Sequence, residues 1–293
     1  MSDESTGLSL QDARNQFIDY LKEKGRASAT ILAYGKDIAQ LVDFSLTREK
    51  KSPEDLTTND IDAFKAKLRS DNYTAKSISR KVNSIKSFCR FLKSQGVISD
   101  NPASQVTHPK YEVSPPRILT KMEYRALRDA ARDDERLSAI IELLLQTGMR
   151  IGELANLTLD DVKLDKHQAT IRAYESHDSR TIPLTTAAVK SIETYIQIRP
   201  KTREKTLFIT KTGNPFLVRN IRTAIDRYFK LAGITDAKVN DLRHTFIAQQ
   251  LAAGTPLVYV SKLVGHKRLS TTEKYLKFIE EKSQKDSVKL EEL

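Results

Sequence analysis

The chain has 293 residues, of which 39% are hydrophobic and 30% charged, with a single cysteine. These values exclude a wholly disordered chain, an internal disulfide and a multi-cysteine zinc site. The formal net charge of +11 favours binding to nucleic acid, which is negatively charged. A basic protein that binds no nucleic acid is the alternative interpretation of the same charge. The polar N-terminus does not look like a signal peptide, and no stretch approaches the roughly 18 apolar residues of a membrane span, so we expect a cytoplasmic protein.

The first hundred residues carry apolar side chains at helical spacing in four segments. Ser9 is a candidate cap for the first helix, and Gly96 is a candidate stop for the last. The predicted helices lie at about residues 9–21, 28–44, 57–68 and 77–94. Since no convincing strand occurs among them, the pattern predicts a compact helical bundle over residues 1–99.

The fourth predicted helix is basic and contains no acidic residue between positions 76 and 93. A basic face opposite an apolar stripe is suited to lie along a phosphate backbone. A solvated surface is the alternative interpretation of the same charges. The candidate DNA-binding residues on this helix are Lys76, Arg80, Lys81, Lys86 and Arg90.

Residues 100–117 contain four prolines and no periodic apolar pattern, which predicts an extended linker. Beyond it, the apolar segment 137–145 predicts a buried helix, and residues 162–184 alternate like a small antiparallel sheet whose tip lies at 176–178. Further helices are predicted at about 186–198, 218–232, 241–253, 256–264 and 270–281. The fold class is therefore mainly α with a small antiparallel β-sheet, and the second domain covers residues 118–293.

Three segments of the second domain carry side chains suited to phosphate chemistry. The first places Arg150 after a glycine turn, and the second places Arg243 at a helix start, where backbone amides also favour an anion. Arginine offers a planar fork of donors that matches phosphate oxygens, although a structural salt bridge is the alternative for Arg150. The third segment places His266 after a glycine and Tyr275 nine residues later, where a core aromatic is the alternative.

Together and in this order, the three segments resemble the tyrosine recombinase family, which includes phage integrases and Xer proteins. The similar strings are TGMRIGEL at 147–154, DLRHTF at 241–246, and LVGH at 263–266 followed by STTEKY at 270–275. The resemblance covers essentially the whole chain, and it implies an N-terminal helical core-binding domain of SAM-like type before a C-terminal catalytic domain.

The resemblance also implies a mechanism. Tyr275 attacks a DNA phosphorus, forms a 3′-phosphotyrosyl bond and frees a 5′-hydroxyl. Arg150 and Arg243 hold the non-bridging oxygens of that phosphate, and His266 donates a hydrogen bond to it. Because the phosphodiester is stored as a covalent bond, no cofactor and no metal ion are expected.

The sequence departs from the family pattern at two positions that handle protons. Asn240 stands where the family usually has histidine, and asparagine donates a hydrogen bond but carries no proton in and out near pH 7. The family's hairpin lysine is also missing: Glu175 lies near its place, and no lysine occurs between positions 166 and 190. His177, at the predicted hairpin tip, is a candidate replacement acid, with an exposed turn residue as the alternative. We expect His244 to pack against its own helix.

The expected partner is double-stranded DNA with paired recognition sites, bound by a homotetramer with one dimer on each site. Lys267 and Arg268, beside His266, are further candidate DNA contacts. In this family a charged tail such as the one at 279–293 often docks on a neighbouring subunit, and a frayed terminus is the alternative. The function is integration or excision, transposition, or resolution of chromosome or plasmid dimers, in a nucleoid-associated cytoplasmic protein. A DNA-binding architectural protein with weakened catalysis and a topoisomerase-like enzyme are the alternatives.

Overall fold

The computed structural model describes residues 7–112, 114–173 and 177–277, and divides into two units between Ser114 and Pro115. This division falls inside the predicted linker. The first part of that stretch is packed rather than extended, because Ala103 and Val106 are buried in the core of the first unit. Within the described ranges, no helix is both long and apolar enough to cross a membrane.

The first unit contains the four predicted helices. Side-chain oxygens of Ser9, Thr57 and Thr74 accept hydrogen bonds from backbone N–H groups in the first turn, which fixes where three of these helices begin. Their apolar faces close around Phe17 and Phe88, whose rings meet edge to face. The helices are α1 (Leu10–Glu23), α2 (Ser28–Leu46), α3 (Thr58–Ser70) and α4 (Ala75–Ser94).

The second unit is built around α6, whose residues from Leu137 to Leu145 are almost all buried. This helix packs against α8 and α10, and a small sheet covers another part of the same core. The helices are α5 (Lys121–Ala130), α6 (Glu135–Thr147), α7 (Ile151–Ala155), α8 (Thr186–Ile198), α9 (Val218–Leu231), α10 (Val239–Ala252), α11 (Leu257–Val264) and α12 (Ser270–Glu273).

The sheet has three antiparallel strands in the order β1-β2-β3: β1 (Val162–Lys163), β2 (Gln168–Ile171) and β3 (Arg180–Pro183). Ala169 of β2 pairs with Val162 on one side and with Ile182 on the other. The alternating pattern predicted this sheet correctly. Glu175 and the predicted tip residue Ser176 lie outside the described residues. The end of the last predicted helix and the tail at 279–293 also lie outside them.

Two left-handed glycines set the geometry of the site. Gly148 (φ 60°) ends α6, and a Cβ there would overlap the ring of Phe246. Gly265 (φ 68°) ends α11, and a Cβ there would lie 3.0 Å from the guanidinium of Arg180. A larger residue would therefore meet backbone strain at both positions, with a clash at Gly148 and a tight contact at Gly265. The turn before Arg150 therefore packs closely against Phe246, and the turn before His266 packs closely against Arg180.

Candidate active site

Arg150 caps the start of α7 and reaches across to the end of α11. Its guanidinium donates to the backbone oxygens of Gly265 at 2.9 Å and Val264 at 3.4 Å, and to the Glu153 carboxylate at 2.9 Å. About a quarter of the side chain remains exposed, at 26%. A guanidinium has five N–H donors, so this geometry fixes the fork while leaving donors for an anion.

Glu153 holds two arginines together from a fully buried position. Arg180 of β3 donates to both of its carboxylate oxygens, at 2.9 and 2.7 Å, and also donates to the Leu263 backbone oxygen. Burial alone would raise the pKa of Glu153, but the hydrogen bonds from Arg180 and from the Arg150 backbone lower it to about 2. The carboxylate is therefore ionised at neutral pH and fixes both guanidinium groups.

Arg243, in the first turns of α10, is the most deeply buried of the three arginines. It donates to the backbone oxygens of Gly148 and Val264, at 2.5 and 2.7 Å. Burial, together with the neighbouring charge of Arg150, lowers the pKa of Arg243 to about 9. Arg150 and Arg243 thus converge on the turn at Val264 and Gly265, and their mutual repulsion favours an anion between them.

His266 follows that turn directly. Its Nδ1 lies 2.8 Å from the hydroxyl of the buried Thr272. Burial, followed by the positive charges of Arg243 and Arg150, lowers the pKa of His266 to about 4. The imidazole is therefore neutral at pH 7. When the Thr272 hydroxyl donates to Nδ1, the proton lies on Nε2, and His266 acts as a hydrogen-bond donor rather than as an acid.

Tyr275 is 5% exposed and packs in a small apolar cluster with residues of α10 and α11. Burial raises the pKa of its hydroxyl, and the nearby charge of Arg243 opposes that rise only in part. Its oxygen lies 2.5 Å from Nδ1 of His244, and Nε2 of His244 lies 2.7 Å from the Asn240 side-chain nitrogen. His244 does pack on its own helix as expected, but sequence reasoning missed its contact with the tyrosine.

His177 is half-buried, and its Nδ1 has no hydrogen-bond partner within the described ranges. Burial and the charges of Arg150 and Lys267 lower its pKa. The charges of the arginine cluster therefore act on His177. Lys267 and Arg268 are both exposed.

On α4, the predicted DNA-binding residues fall into two groups. Lys76 and Arg90 are exposed, and Lys86 is partly exposed. Lys81 is 4% exposed, and its ammonium donates to Asp37 and Gln40, so the prediction that it contacts DNA was wrong. Arg80 is half-exposed but paired with both oxygens of Asp37. A sequence gives no sign that one buried carboxylate on another helix engages these two cations.

The arrangement is suited to bind a phosphate. Three guanidinium groups meet around Glu153 and the turn after α11, and the neutral His266 follows that turn. The tyrosine hydroxyl lies against His244, the residue after Arg243. Arg180 was not predicted as part of this site. Little in the sequence indicates its role, because a single arginine in a strand of alternating residues is usually exposed on the surface.

Comparison with known proteins identifies the family. Residues 117–281 match the model of the phage integrase family, and residues 15–96 match that of the phage integrase N-terminal SAM-like domain. The tyrosine recombinase XerC of Herpetosiphon aurantiacus is 30% identical over 277 residues, which cover 91% of this chain and 90% of that protein.

Solved structures share the fold. The XerA recombinase structure is 24% identical, with a TM-score of 0.56, and the match covers 96% of this chain and 100% of that one. A lambda integrase tetramer bound to a Holliday junction is 20% identical, with a TM-score of 0.72, and the match covers 91% of this chain and 80% of that one. The chain therefore belongs to the phage integrase family of tyrosine recombinases.

Proposed function

We propose that this protein is a site-specific DNA recombinase that cuts and rejoins DNA strands with Tyr275 as the nucleophile. The observation that carries the proposal is the convergence of Arg150 and Arg243 on one turn, with His266 following that turn and the Tyr275 hydroxyl near Arg243. Membership of the tyrosine recombinase family supports the same chemistry.

In the cleavage step, the phenolic oxygen of Tyr275 forms a bond to phosphorus and the bond from phosphorus to the 5′-oxygen breaks. The product is a 3′-phosphotyrosyl bond and a free 5′-hydroxyl. Arg150 and Arg243 bind the non-bridging oxygens as negative charge develops, and His266 donates a hydrogen bond from Nε2. Reversal of the step by another 5′-hydroxyl rejoins strands, so the energy of the phosphodiester is kept.

The leaving 5′-oxygen needs a proton, and the acid–base residues of this chain are not the usual ones of the family. His177, on which the charge of Arg150 acts, is the candidate acid of the hairpin. Because its pKa is lowered, His177 is mostly neutral at pH 7 without DNA, and a bound phosphate would raise its pKa. A substrate with a 5′-bridging sulfur has a leaving group that needs no proton. If His177→Ala is impaired equally on the sulfur and oxygen substrates, His177 is not the acid.

DNA contacts outside the scissile phosphate come from exposed basic residues. Lys267 and Arg268 flank the site, and Lys76, Lys86 and Arg90 lie on α4 of the first unit. In the second unit, a cavity of about 410 Å³ beside Arg243 is also lined by Arg222 and Lys238. These positions neutralise backbone phosphates without reading sequence.

Recombination requires two DNA sites, so the working form is a homotetramer with one dimer on each site. The lambda integrase tetramer, which shares this fold, is bound to a Holliday junction. We assign the biological role to integration or excision, transposition, or resolution of dimers, in a nucleoid-associated cytoplasmic protein. The tail at 279–293 is the segment that would dock on a neighbouring subunit.

The test is formation of a covalent protein–DNA adduct. The Tyr275→Phe protein is first used to select a bound duplex from a randomised pool, since this substitution removes only the nucleophile. The unmodified protein, incubated with a nicked suicide version of that duplex, should form an adduct that survives denaturation. The adduct should be absent with Tyr275→Phe and present with Tyr259→Phe, a control at an exposed tyrosine of α11. Tight binding without any adduct would contradict the proposal and favour an architectural DNA-binding protein.

A further inference from the structure

Three side chains form a continuous line from the surface to the buried tyrosine. Asn240 is exposed on the first turn of α10, His244 lies one turn later on the same face, and the Tyr275 hydroxyl lies against the inner edge of the imidazole. The contacts are 2.7 Å from the Asn240 amide to Nε2 and 2.5 Å from Nδ1 to the phenolic oxygen. The two rings are 5.7 Å apart between centroids.

We propose that His244 accepts the phenolic proton of Tyr275 during attack on the phosphate, and that Asn240 positions the imidazole for this transfer. The proposal rests on Tyr275 being the nucleophile. It assigns a catalytic role to His244, which touches the reacting oxygen, and a positioning role to Asn240, which acts through His244.

The proton transfer requires one arrangement of hydrogens. The Asn240 amide oxygen must accept from the Nε2–H of His244, which leaves a lone pair on Nδ1 for the O–H of Tyr275. The structure has the amide nitrogen 2.7 Å from Nε2, and a half-turn about the terminal bond of Asn240 exchanges that nitrogen with the oxygen. As the O–P bond forms, the proton moves from the phenolic oxygen to Nδ1, and the imidazolium keeps its Nε2–H bond to Asn240. The electron pair of the breaking P–O bond leaves with the 5′-oxygen.

Other candidate bases near the tyrosine are already engaged. His266 faces Thr272 through Nδ1 and is near two arginines. Asp241 accepts from the backbone N–H of Lys238 as part of a helix cap. Among the described residues, His244 is the one base in hydrogen-bond contact with the Tyr275 oxygen. Burial lowers its pKa, so the imidazole is neutral and able to take a proton at pH 7.

In this proposal Asn240 orients the imidazole of His244. The family resemblance implies a histidine at this position, and a histidine titrates near pH 7. Asparagine carries no charge at any working pH, so with its oxygen turned toward Nε2 it holds His244 in the tautomer that leaves Nδ1 free, without titrating itself. The arrangement resembles the general pattern in which a nucleophile contacts a base and the base is oriented by a third group.

The first experiment compares single-turnover adduct formation by the unmodified protein and by His244→Asn, which keeps a hydrogen-bonding side chain but cannot take a proton. The selected suicide duplex is the probe, and the unmodified protein must first give an adduct that Tyr275→Phe does not give. We expect the rate to fall about 10²–10⁴-fold, the usual contribution of a general base. Val260→Ala, which loosens the same apolar cluster without touching the hydroxyl, should keep nearly the full rate.

Two further measurements separate proton transfer from a structural role. With the 5′-bridging sulfur substrate, the defect of His244→Asn should persist, since the leaving group is no longer limiting. Raising the pH from about 7 to about 9 should recover its rate about tenfold per pH unit, because the phenolate fraction rises by that factor. The groups around His244 that affect this profile are Asp241 and Arg243 on its own helix, Tyr275, and His266 after α11.

Asn240→Leu tests the positioning role. It should slow adduct formation in the unmodified background but have no further effect in the His244→Asn background, since it acts through that imidazole. Equal effects in both backgrounds would overturn the role of Asn240. For His244, an unchanged or faster rate in His244→Asn, rescue by the sulfur substrate, or a pH-independent defect would each overturn the proposal.

Discussion

Asp37 in the first unit and Glu153 in the second are each buried and each paired with two cations, but the two clusters have different charge balances. In the first unit, Asp37 is 1% exposed and pairs with the buried Lys81, while the side chain of Arg80 is 48% exposed to water. The Ser84 hydroxyl adds a further hydrogen bond. One buried negative charge therefore meets one buried positive charge, and the cluster is complete within the fold.

In the second unit, Glu153 faces an excess of positive charge. Its carboxylate pairs with Arg150 and Arg180. Burial, together with the positive charges of Arg150 and Arg180, lowers the pKa of Arg243 to about 9. These four residues therefore carry three positive charges and one negative charge. A buried charge excess is costly unless something compensates it, so this cluster is complete only when an anion binds. The comparison indicates that a buried ion pair by itself does not predict an anion-binding site. A buried cluster with more positive than negative charges does predict one.

The largest expected effect is on the balanced cluster. Asp37→Leu leaves Lys81 buried without its partner, and breaking a buried pair in this way costs about 3–5 kcal/mol. Denaturant unfolding of the purified variant should report this loss in the first unit. The double variant Asp37→Leu with Lys81→Met removes both charges and should recover most of the stability. If the double variant is no more stable than Asp37→Leu, the pair does not behave as a self-contained one.

The next effect is on catalysis by the unbalanced cluster. Arg150→Gln removes one phosphate ligand but leaves Glu153 paired with Arg180, so the fold should lose only about 1–2 kcal/mol. Adduct formation should fall about 10²–10³-fold, as for loss of one electrostatic donor. The matched control is Arg172→Gln, which removes an exposed arginine paired with the buried Asp161 in the same unit and should leave the rate unchanged. A rate loss shared by both variants would mean that the effect is not specific to the phosphate site.

Much of the fold could be predicted from the sequence because local sequence preferences and tertiary packing favour the same elements. The stripe on α4, the caps at Ser9 and Thr57, and the alternation around Ala169 each predicted an element that the structure contains. The linker was less readable. Prolines predicted an extended chain, yet Ala103 is buried, and the Pro102 oxygen accepts from the Thr58 hydroxyl. A contact spanning such a distance in sequence leaves no local periodicity.

The site was readable only where residue type and chemistry coincide. An arginine after a glycine turn, a second arginine at a helix start and a tyrosine after a polar cap indicated phosphate chemistry. Charge balance, however, depends on partners that are distant in the sequence. Lys81 looked like Lys76 in the sequence and differs because Asp37, on another helix, lies beside it. Likewise, His244 differs from an ordinary helical histidine only because Tyr275 lies against it.

The smallest expected effect tests the charge imbalance directly, without DNA. An inorganic phosphate ion should bind between Arg150 and Arg243 and stabilise the second unit by RT ln(1 + [L]/Kd), which is about 1–3 kcal/mol at concentrations from 10- to 100-fold above Kd. Amide hydrogen exchange, followed separately for each unit at constant ionic strength, measures this gain. The first unit should gain only the general effect of an excluded salt, since its carboxylate is already matched. Arg150→Gln should reduce the gain of the second unit to that same general level. Equal gains in both units of the unmodified protein would remove the distinction between the two clusters.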